Sequence, residues 1–207
     1  MIELKEVNKV IGKKKILTNI NLKLEKGKIY GLVGNNGSGK TMLLRLICDL
    51  IKPSSGQVIK DKNTTFGVII ENPGFIYEET ALFNLKYLAS INNKIKLDRI
   101  MEVLKFFGLD KDAKVKVRKY SLGMQQKLGL AQAIMEYPDV LLLDEPFNAL
   151  DDESYIEAKN VLLEMKKNFN TTIVIATHDK CSYDIFDYKL RIKDGKLQWK
   201  GAILWKK

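Results

Sequence analysis

The run Gly34-Asn35-Asn36-Gly37-Ser38-Gly39-Lys40-Thr41 constrains this chain more than any other segment. It satisfies the pattern G-x-x-x-x-G-K-[ST], and its flanks supply the context that such a loop requires. An apolar strand, Ile29 to Val33, enters it, and a helical pattern of Met42, Leu43, Leu44, Leu46 and Ile47 leaves it. Glycines let successive backbone N–H groups turn inward around phosphate oxygens, and the N-terminus of the following helix adds partial positive charge. In a loop of this kind Lys40 reaches the β- and γ-phosphates of a nucleoside triphosphate, and the Thr41 hydroxyl is a ligand for Mg²⁺. The expected phosphate-binding set is Gly34, Asn35, Asn36, Gly37, Ser38, Gly39, Lys40 and Thr41, with Met42 opening the helix.

The rest of the chain fits an α/β protein built around that loop. Val140 to Leu143 and Ile173 to Ala176 are short and fully apolar, as strands of a parallel sheet covered on both faces must be. Ser154 to Met165 reads as the crossover helix between them. Near the start, Ile2 and Leu4, then Ile20, Leu22 and Leu24, alternate with polar residues in the period of half-buried strands. Gly12 and the segment Glu25 to Lys28 mark turns, Pro53 to Gly56 marks a loop, and Val58 to Ile70 holds two further strand-like runs. Residues 72–137 change character: Ala81 to Ala89 and Arg99 to Phe107 carry apolar residues at helical spacing, and Gly108 ends the second run. The tail from Tyr188 to Trp205 reads as short strands around Asp194-Gly195. The expected organisation is one domain, 1–207, with a mostly helical insert over 72–137.

Two further groups belong with the loop. The strand Val140 to Leu143 ends in Asp144-Glu145. In enzymes with this loop an acid at that strand end holds the metal ion, the role expected of Asp144. Glu145, one residue on, is placed to polarise an attacking water. His178, the single histidine, follows the strand Ile173 to Ala176, at the sheet edge where ligands bind in such folds. It is expected to contact the γ-phosphate and orient the water.

Tyr120-Ser121-Leu122-Gly123-Met124-Gln125-Gln126-Lys127 resembles the signature of the ABC ATP-binding proteins, usually written L-S-G-G-Q. Ser121 and Gly123 are kept; Tyr120, Leu122 and Met124 depart from it. Pro146-Phe147-Asn148-Ala149-Leu150-Asp151 is similar to the family's D-loop, and His178 matches its switch histidine. The stretch from Lys40 to Ser121 has the length usual in transporter-type members. The resemblance covers nearly the whole chain. It implies a P-loop NTPase fold: a RecA-like core with a mostly parallel sheet, an antiparallel β-subdomain and an inserted helical subdomain. It also implies ATP and Mg²⁺ as ligands, and head-to-tail dimers, homo- or heterodimeric, in which Ser121, Gly123 and Asp151 meet the nucleotide of the other protomer. Two further positions differ from the family. Glu71 stands where a glutamine is usual, and as a carboxylate it is a further candidate metal ligand. Ile11 stands where an aromatic residue usually stacks on adenine, so apolar contact and weak base selectivity are expected. The runs Glu71-Asn72-Pro73-Gly74-Phe75 and Tyr120 to Gln126 resemble the bacitracin-resistance and lantibiotic-immunity exporters in particular.

Bulk properties narrow the partners. With 45% hydrophobic and 29% charged residues the chain is neither disordered nor fibrous. No run approaches the roughly 20 apolar residues of a membrane span, and the charged N-terminus does not read as a signal peptide. Cys48 and Cys181 form no disulfide framework and read as reduced thiols. Any membrane role therefore needs a separate permease subunit, and the family resemblance implies a cytoplasmic protein held peripherally on the inner face of the membrane. Part of residues 72–87 is expected to touch that permease, with Phe75 and Tyr77 as candidate anchors; Trp199 and Trp205 read as C-terminal packing residues. The formal charge of +10 suits a lysine-rich solvated surface. It is also the only support for the alternative, a soluble ABC ATPase acting on nucleic acid or ribosomes; no direct nucleic-acid contact is expected.

Overall fold

The computed structural model describes residues 1–71, 73–178 and 184–202, with side chains up to Gln198. Cys181, Trp205 and the Trp199 side chain lie outside the described residues.

Two sheets organise the chain. In the first, β1 (Ile2–Ile11), β2 (Lys14–Leu24) and β4 (Ser55–Lys60) are antiparallel in the order β2-β1-β4. The second is six-stranded, in the order β5-β6-β7-β3-β8-β9. Its members are β3 (Ile29–Val33), β5 (Phe66–Ile69), β6 (Val140–Asp144), β7 (Thr172–Thr177), β8 (Tyr188–Lys193) and β9 (Lys196–Ala202). All are parallel except β9, which returns against β8 through the turn at Asp194-Gly195.

The apolar runs of the central strands divide between two cores. Val140, Leu142, Val174, Ala176, Tyr30 and Leu32 face a core shared with α1 (Lys40–Ile47) and the three-stranded sheet. Leu141, Leu143, Ile173, Ile175 and Ile29 face a second core, built with α5 (Asp152–Phe169) and the helices between β5 and β6. Alternation with period two and burial of both phases is what a sheet covered on both faces demands.

Three helices intervene between β5 and β6: α2 (Ala81–Asn92), α3 (Leu97–Phe106) and α4 (Leu122–Ile134). Thr80 caps α2 by accepting the Phe83 N–H at 3.0 Å, and Ser121 caps α4 by accepting the Met124 N–H at 3.2 Å. Backbone bonds from Val117 N–H to Glu79 O (2.9 Å) and from Arg118 N–H to Tyr77 O (3.0 Å) tie the segment entering α4 to the segment entering α2. At the far end of α4, the buried Arg99 of α3 donates to the carbonyls of Ile134 and Met135 at 3.3 and 3.2 Å. Its guanidinium lies 4.0 Å from the centre of the Tyr137 ring. Phe75, expected at the surface, packs into the second core, whereas Tyr77 is exposed.

Candidate nucleotide site

The C-terminal ends of β3 and β6 open into a cleft of about 540 Å³. Its lining includes Gly37, Gly39, Lys40, Thr41 and Met42 from the loop and α1, Asp144 and Glu145 from β6, and Glu71 from the segment after β5. Gly34, Asn35 and Ser38 line the opposite side of the same loop. The loop has a backbone that side chains resist. Gly39 sits at the N-cap of α1 with φ 109°, and a Cβ there would lie 2.8 Å from Leu17 Cδ2. Lys40, the first residue of α1, is buried and donates to the loop carbonyls of Gly34 (2.8 Å) and Asn35 (3.4 Å). Its ammonium is 3.8 Å from Glu145 Oε1.

Strand register assembles the rest. Asp144 pairs with Ala176 across β6 and β7, and the Glu145 N–H donates to Ala176 O at 2.8 Å. That contact brings Glu145, in the left-handed conformation at φ 49°, beside His178, two residues past Ala176. His178 Nδ1 and Glu145 Oε1 are 2.8 Å apart. With the carboxylate ionised, Nδ1 carries the proton and donates, which leaves Nε2 a lone pair. The other carboxylate oxygen, Oε2, is buried and has no hydrogen-bond partner; neither has Ser38 Oγ. Buried acceptors of this kind call for a donor from a bound molecule or a water.

The Thr41 hydroxyl donates to Asp144 Oδ2 at 2.5 Å. Burial pushes the Asp144 carboxyl up from its ordinary range; the Thr41 hydroxyl and Lys40 pull it back, and the charges of Glu145 and Glu71 raise it again. Among the described residues no group of three His, Cys, Asp or Glu side chains forms a metal cage. A few hard oxygens, Thr41 Oγ1, Asp144 and Glu71, around a phosphate loop suit Mg²⁺, which takes one or two carboxylates and completes its shell with phosphate oxygens and water.

The N-terminus of α4 borders the same cleft through Leu122 and Gln126. Gln126 Nε2 donates to Pro146 O at 3.0 Å, and a Cβ on Gly123 would lie 2.9 Å from Ala149 O, so α4 packs directly on the loop after Glu145. That loop ends at Asp151, whose carboxylate caps α5 by accepting the Ser154 N–H at 2.8 Å. The same side-chain and backbone hydrogen bonding to Ser154 holds it below the usual carboxylate range. Tyr120, one of the departures in this segment, is buried and donates its hydroxyl to Asp112 O at 2.9 Å.

Ile11 stands apart: it is half exposed at the end of β1, and the cleft is lined by Ile16 of β2 instead. No aromatic side chain lines the cleft among the described residues. Sequence reasoning missed Ile16 and also Arg45, in the last turn of α1, whose Nη2 lies 2.6 Å from Glu71 Oε1.

Comparison with known proteins agrees with this geometry. The ABC transporter family profile matches residues 17–148. The chain is 41% identical to the uncharacterized ABC transporter ATP-binding protein YybJ of Bacillus subtilis, over all of this chain and 99% of that one. It is 38% identical to the bacitracin transport ATP-binding protein BcrA of Bacillus licheniformis, over 95% of this chain and 68% of that one. Among solved structures, the dimeric ABC transporter cassette MJ0796 superposes with a TM-score of 0.90 at 26% identity, over the full length of both chains. The same cassette is also known in a dimeric post-hydrolysis state bound to ADP and Pi, at 25% identity. A nucleotide cleft of this construction, on a fold shared along its whole length with such cassettes, makes this chain a member of the ABC transporter family, an ATP-binding and ATP-hydrolysing subunit.

Proposed function

We propose that this chain is the motor of an exporter whose membrane-spanning part is a separate permease, and that the cargo is an antimicrobial peptide or a similarly amphiphilic molecule. The cargo class rests on likeness to the bacitracin protein and to the lantibiotic transport ATP-binding protein SrtF of Streptococcus pyogenes, 32% identical over 86% of this chain and 80% of that one. The permease rests on the same likeness to transport ATP-binding proteins; no described helix is long and apolar enough to cross a membrane.

The observation that carries the chemical reading is the contact of Glu145 with His178 beside Lys40. Glu145 is the base that takes a proton from the attacking water, with Oε2 as the free acceptor. His178 holds Oε1 through Nδ1; a hydrogen bond from Nε2 to a γ-phosphate oxygen requires the doubly protonated imidazolium, because phosphate oxygens accept. Lys40 and the N–H groups of Gly37 to Thr41 gather the phosphate charge. Thr41, Asp144 and Glu71 would hold Mg²⁺, which would supply positive charge against the phosphates. Ser121 and Gly123 at the start of α4 face the nucleotide of a second protomer, so that two ATP molecules close a homo- or heterodimer. Asp151, at the end of the loop on which α4 rests, stands at the same boundary.

The test is purification from membranes through a tag on this chain, with ATP turnover measured for wild type and Glu145→Gln. The variant should lose about 10²–10⁴-fold in turnover while retaining ATP, and a multi-span protein should co-purify. If Glu145→Gln turns ATP over at the wild-type rate, the assignment of the base fails. If the chain comes away with RNA or ribosomes and no membrane protein, the export reading fails.

A further inference from the structure

Among the described residues, Arg45 and Glu71 form the one strong ion pair that borders the cleft without being part of the phosphate loop or the acid pair. Their origins differ. Arg45 comes from the last turn of α1, one helix turn beyond Thr41, and its side chain is about two-thirds covered. Glu71 comes from the segment after β5, has φ 65° although it is not glycine, and is largely exposed while still lining the cleft. A left-handed backbone at a glutamate is held against its own preference. Here the 2.6 Å contact to Arg45 Nη2 is what fixes the carboxylate.

The charges around the cleft make that contact consequential. Among the described lining residues, Glu71, Asp144 and Glu145 are three carboxylates and Lys40 is the one cation. ATP brings more negative charge to the same place. An unpaired Glu71 would repel the phosphates and attract a divalent cation; a Glu71 paired to Arg45 does neither to the same degree. The two demands on this carboxylate compete: the guanidinium holds Oε1 and draws on the negative charge that a metal ion would use through either oxygen.

We propose that Arg45 is a positioning residue that holds the Glu71 carboxylate in reserve: it shields the incoming phosphates from Glu71 and competes with the nucleotide-bound metal for it. The glutamate at this position is then one half of a two-residue device, and the strength of metal binding in the ATP complex is set by an exchange of Glu71 between Arg45 and the ion. This rests on the reading of the cleft as the ATP site.

The test uses the full chain with Mn²⁺ as the probe, followed by electron paramagnetic resonance in the presence of ATP, together with the affinity for a fluorescent ATP analogue in EDTA. Wild type, Arg45→Gln, Glu71→Gln and the double variant complete a cycle. Arg45→Gln should tighten Mn²⁺ in the ATP complex by about three- to tenfold and weaken metal-free nucleotide binding by a similar factor. Both effects should vanish when Glu71 is already Gln. Arg45→Lys, which keeps the charge but not the planar fork, should fall between, and it replaces Arg45→Gln in the cycle if that variant does not fold. Effects of Arg45→Gln that persist at full size in the Glu71→Gln background, or an unchanged Mn²⁺ affinity, would overturn the proposal. Failure of the wild type to bind the ATP analogue at all would instead remove the ATP-site reading beneath it.

Discussion

Arg99 offers a quantitative check on how the signature helix is anchored. Replacing it by Met keeps most of the aliphatic stem but removes the contacts of the guanidinium, of which three carry most of the energy; the Phe106 ring, 5.7 Å away, adds little. The Ile134 and Met135 carbonyls at the end of α4 lose a charged donor; each buried acceptor left unpaired costs about 1–3 kcal/mol, and helix-end carbonyls recover part of this from water. Stacking of the guanidinium on Tyr137, at 4.0 Å, contributes about 1 kcal/mol. The bond to Glu102 contributes less than about 0.5 kcal/mol, because that partner's side chain is 49% exposed. The sum is a loss of about 3 kcal/mol, which for a chain of this length lowers the melting temperature by about 6–12 °C. Thermal melts followed by circular dichroism, without nucleotide, read this directly. Arg99→Lys should recover less than half of it, since an ammonium cannot reach both carbonyls and the ring. A melting temperature within about 3 °C of wild type for Arg99→Met would refute the claim that this side chain secures α4.

Three other predictions concern contacts elsewhere. Asp139 accepts the Thr65 N–H at 2.9 Å and the Thr65 hydroxyl at 2.8 Å, and these bonds, the backbone one first, hold its carboxyl below the usual range. A depressed folded value means the contribution is complete above the ordinary carboxylate pKa of about 4 and is lost as pH falls through the folded value. The stability gap between wild type and Asp139→Asn, read by denaturant titration, should be flat from neutral pH to about pH 5 and close below it; a gap that widens in acid would contradict the assignment. In the nucleotide cleft, Ile16→Ser should weaken ATP binding by roughly fivefold for a partly buried apolar side chain, whereas Ile11→Ser should change it less than about twofold. ATP and GTP should bind within a few-fold of each other, and a strong ATP preference would require a base contact that the lining does not supply.

The parts of this fold that were legible in sequence are those set by local pattern. The strand-loop-helix from Ile29 through Ile47, the strand ending at Asp144 and the turn at Asp194-Gly195 each follow from a few adjacent residues. Near the start, alternation holds for Ile2 and Leu4 and for Ile20, Leu22 and Leu24, all buried, and breaks beyond them. In β1 the buried positions step Ile2, Leu4, Val7, and in β2 they step Leu24, Leu22, Ile20, Leu17. Each carries a shift of three where Glu6 and Asn19 adopt φ 49° and the register slips. Such bulges reverse the faces beyond them, so Ile16 turns to the cleft and the sequence neighbour of the turn, Ile11, does not. Arg45 with Glu71, and Arg99 with the end of α4, join residues 26 or more positions apart. Nothing in the local pattern of either partner announces such a pairing. Phe75 shows the same difficulty in another form: an aromatic residue in a loop-like stretch reads as exposed until the helices that cover it are in place.

The sheet order has a consequence for how the protein comes into being. β7 lies between β6 and β3, so the strand that leads to the phosphate loop and the strand that ends in the acid pair never touch; each is hydrogen-bonded to Thr172–Thr177. During synthesis the loop leaves the ribosome early and the acid pair much later, yet neither has its neighbour until that stretch has also emerged. The strand pairing of the three-stranded sheet draws on nothing beyond Lys60, although its apolar face packs on residues made later, Val140 and Val174 among them. Contacts between residues so distant in sequence are slow to find. The nascent chain is therefore unable to bring Lys40 and Glu145 together until most of its length has been made, and a product truncated before β7 carries every residue of the phosphate loop and no means of assembling the site.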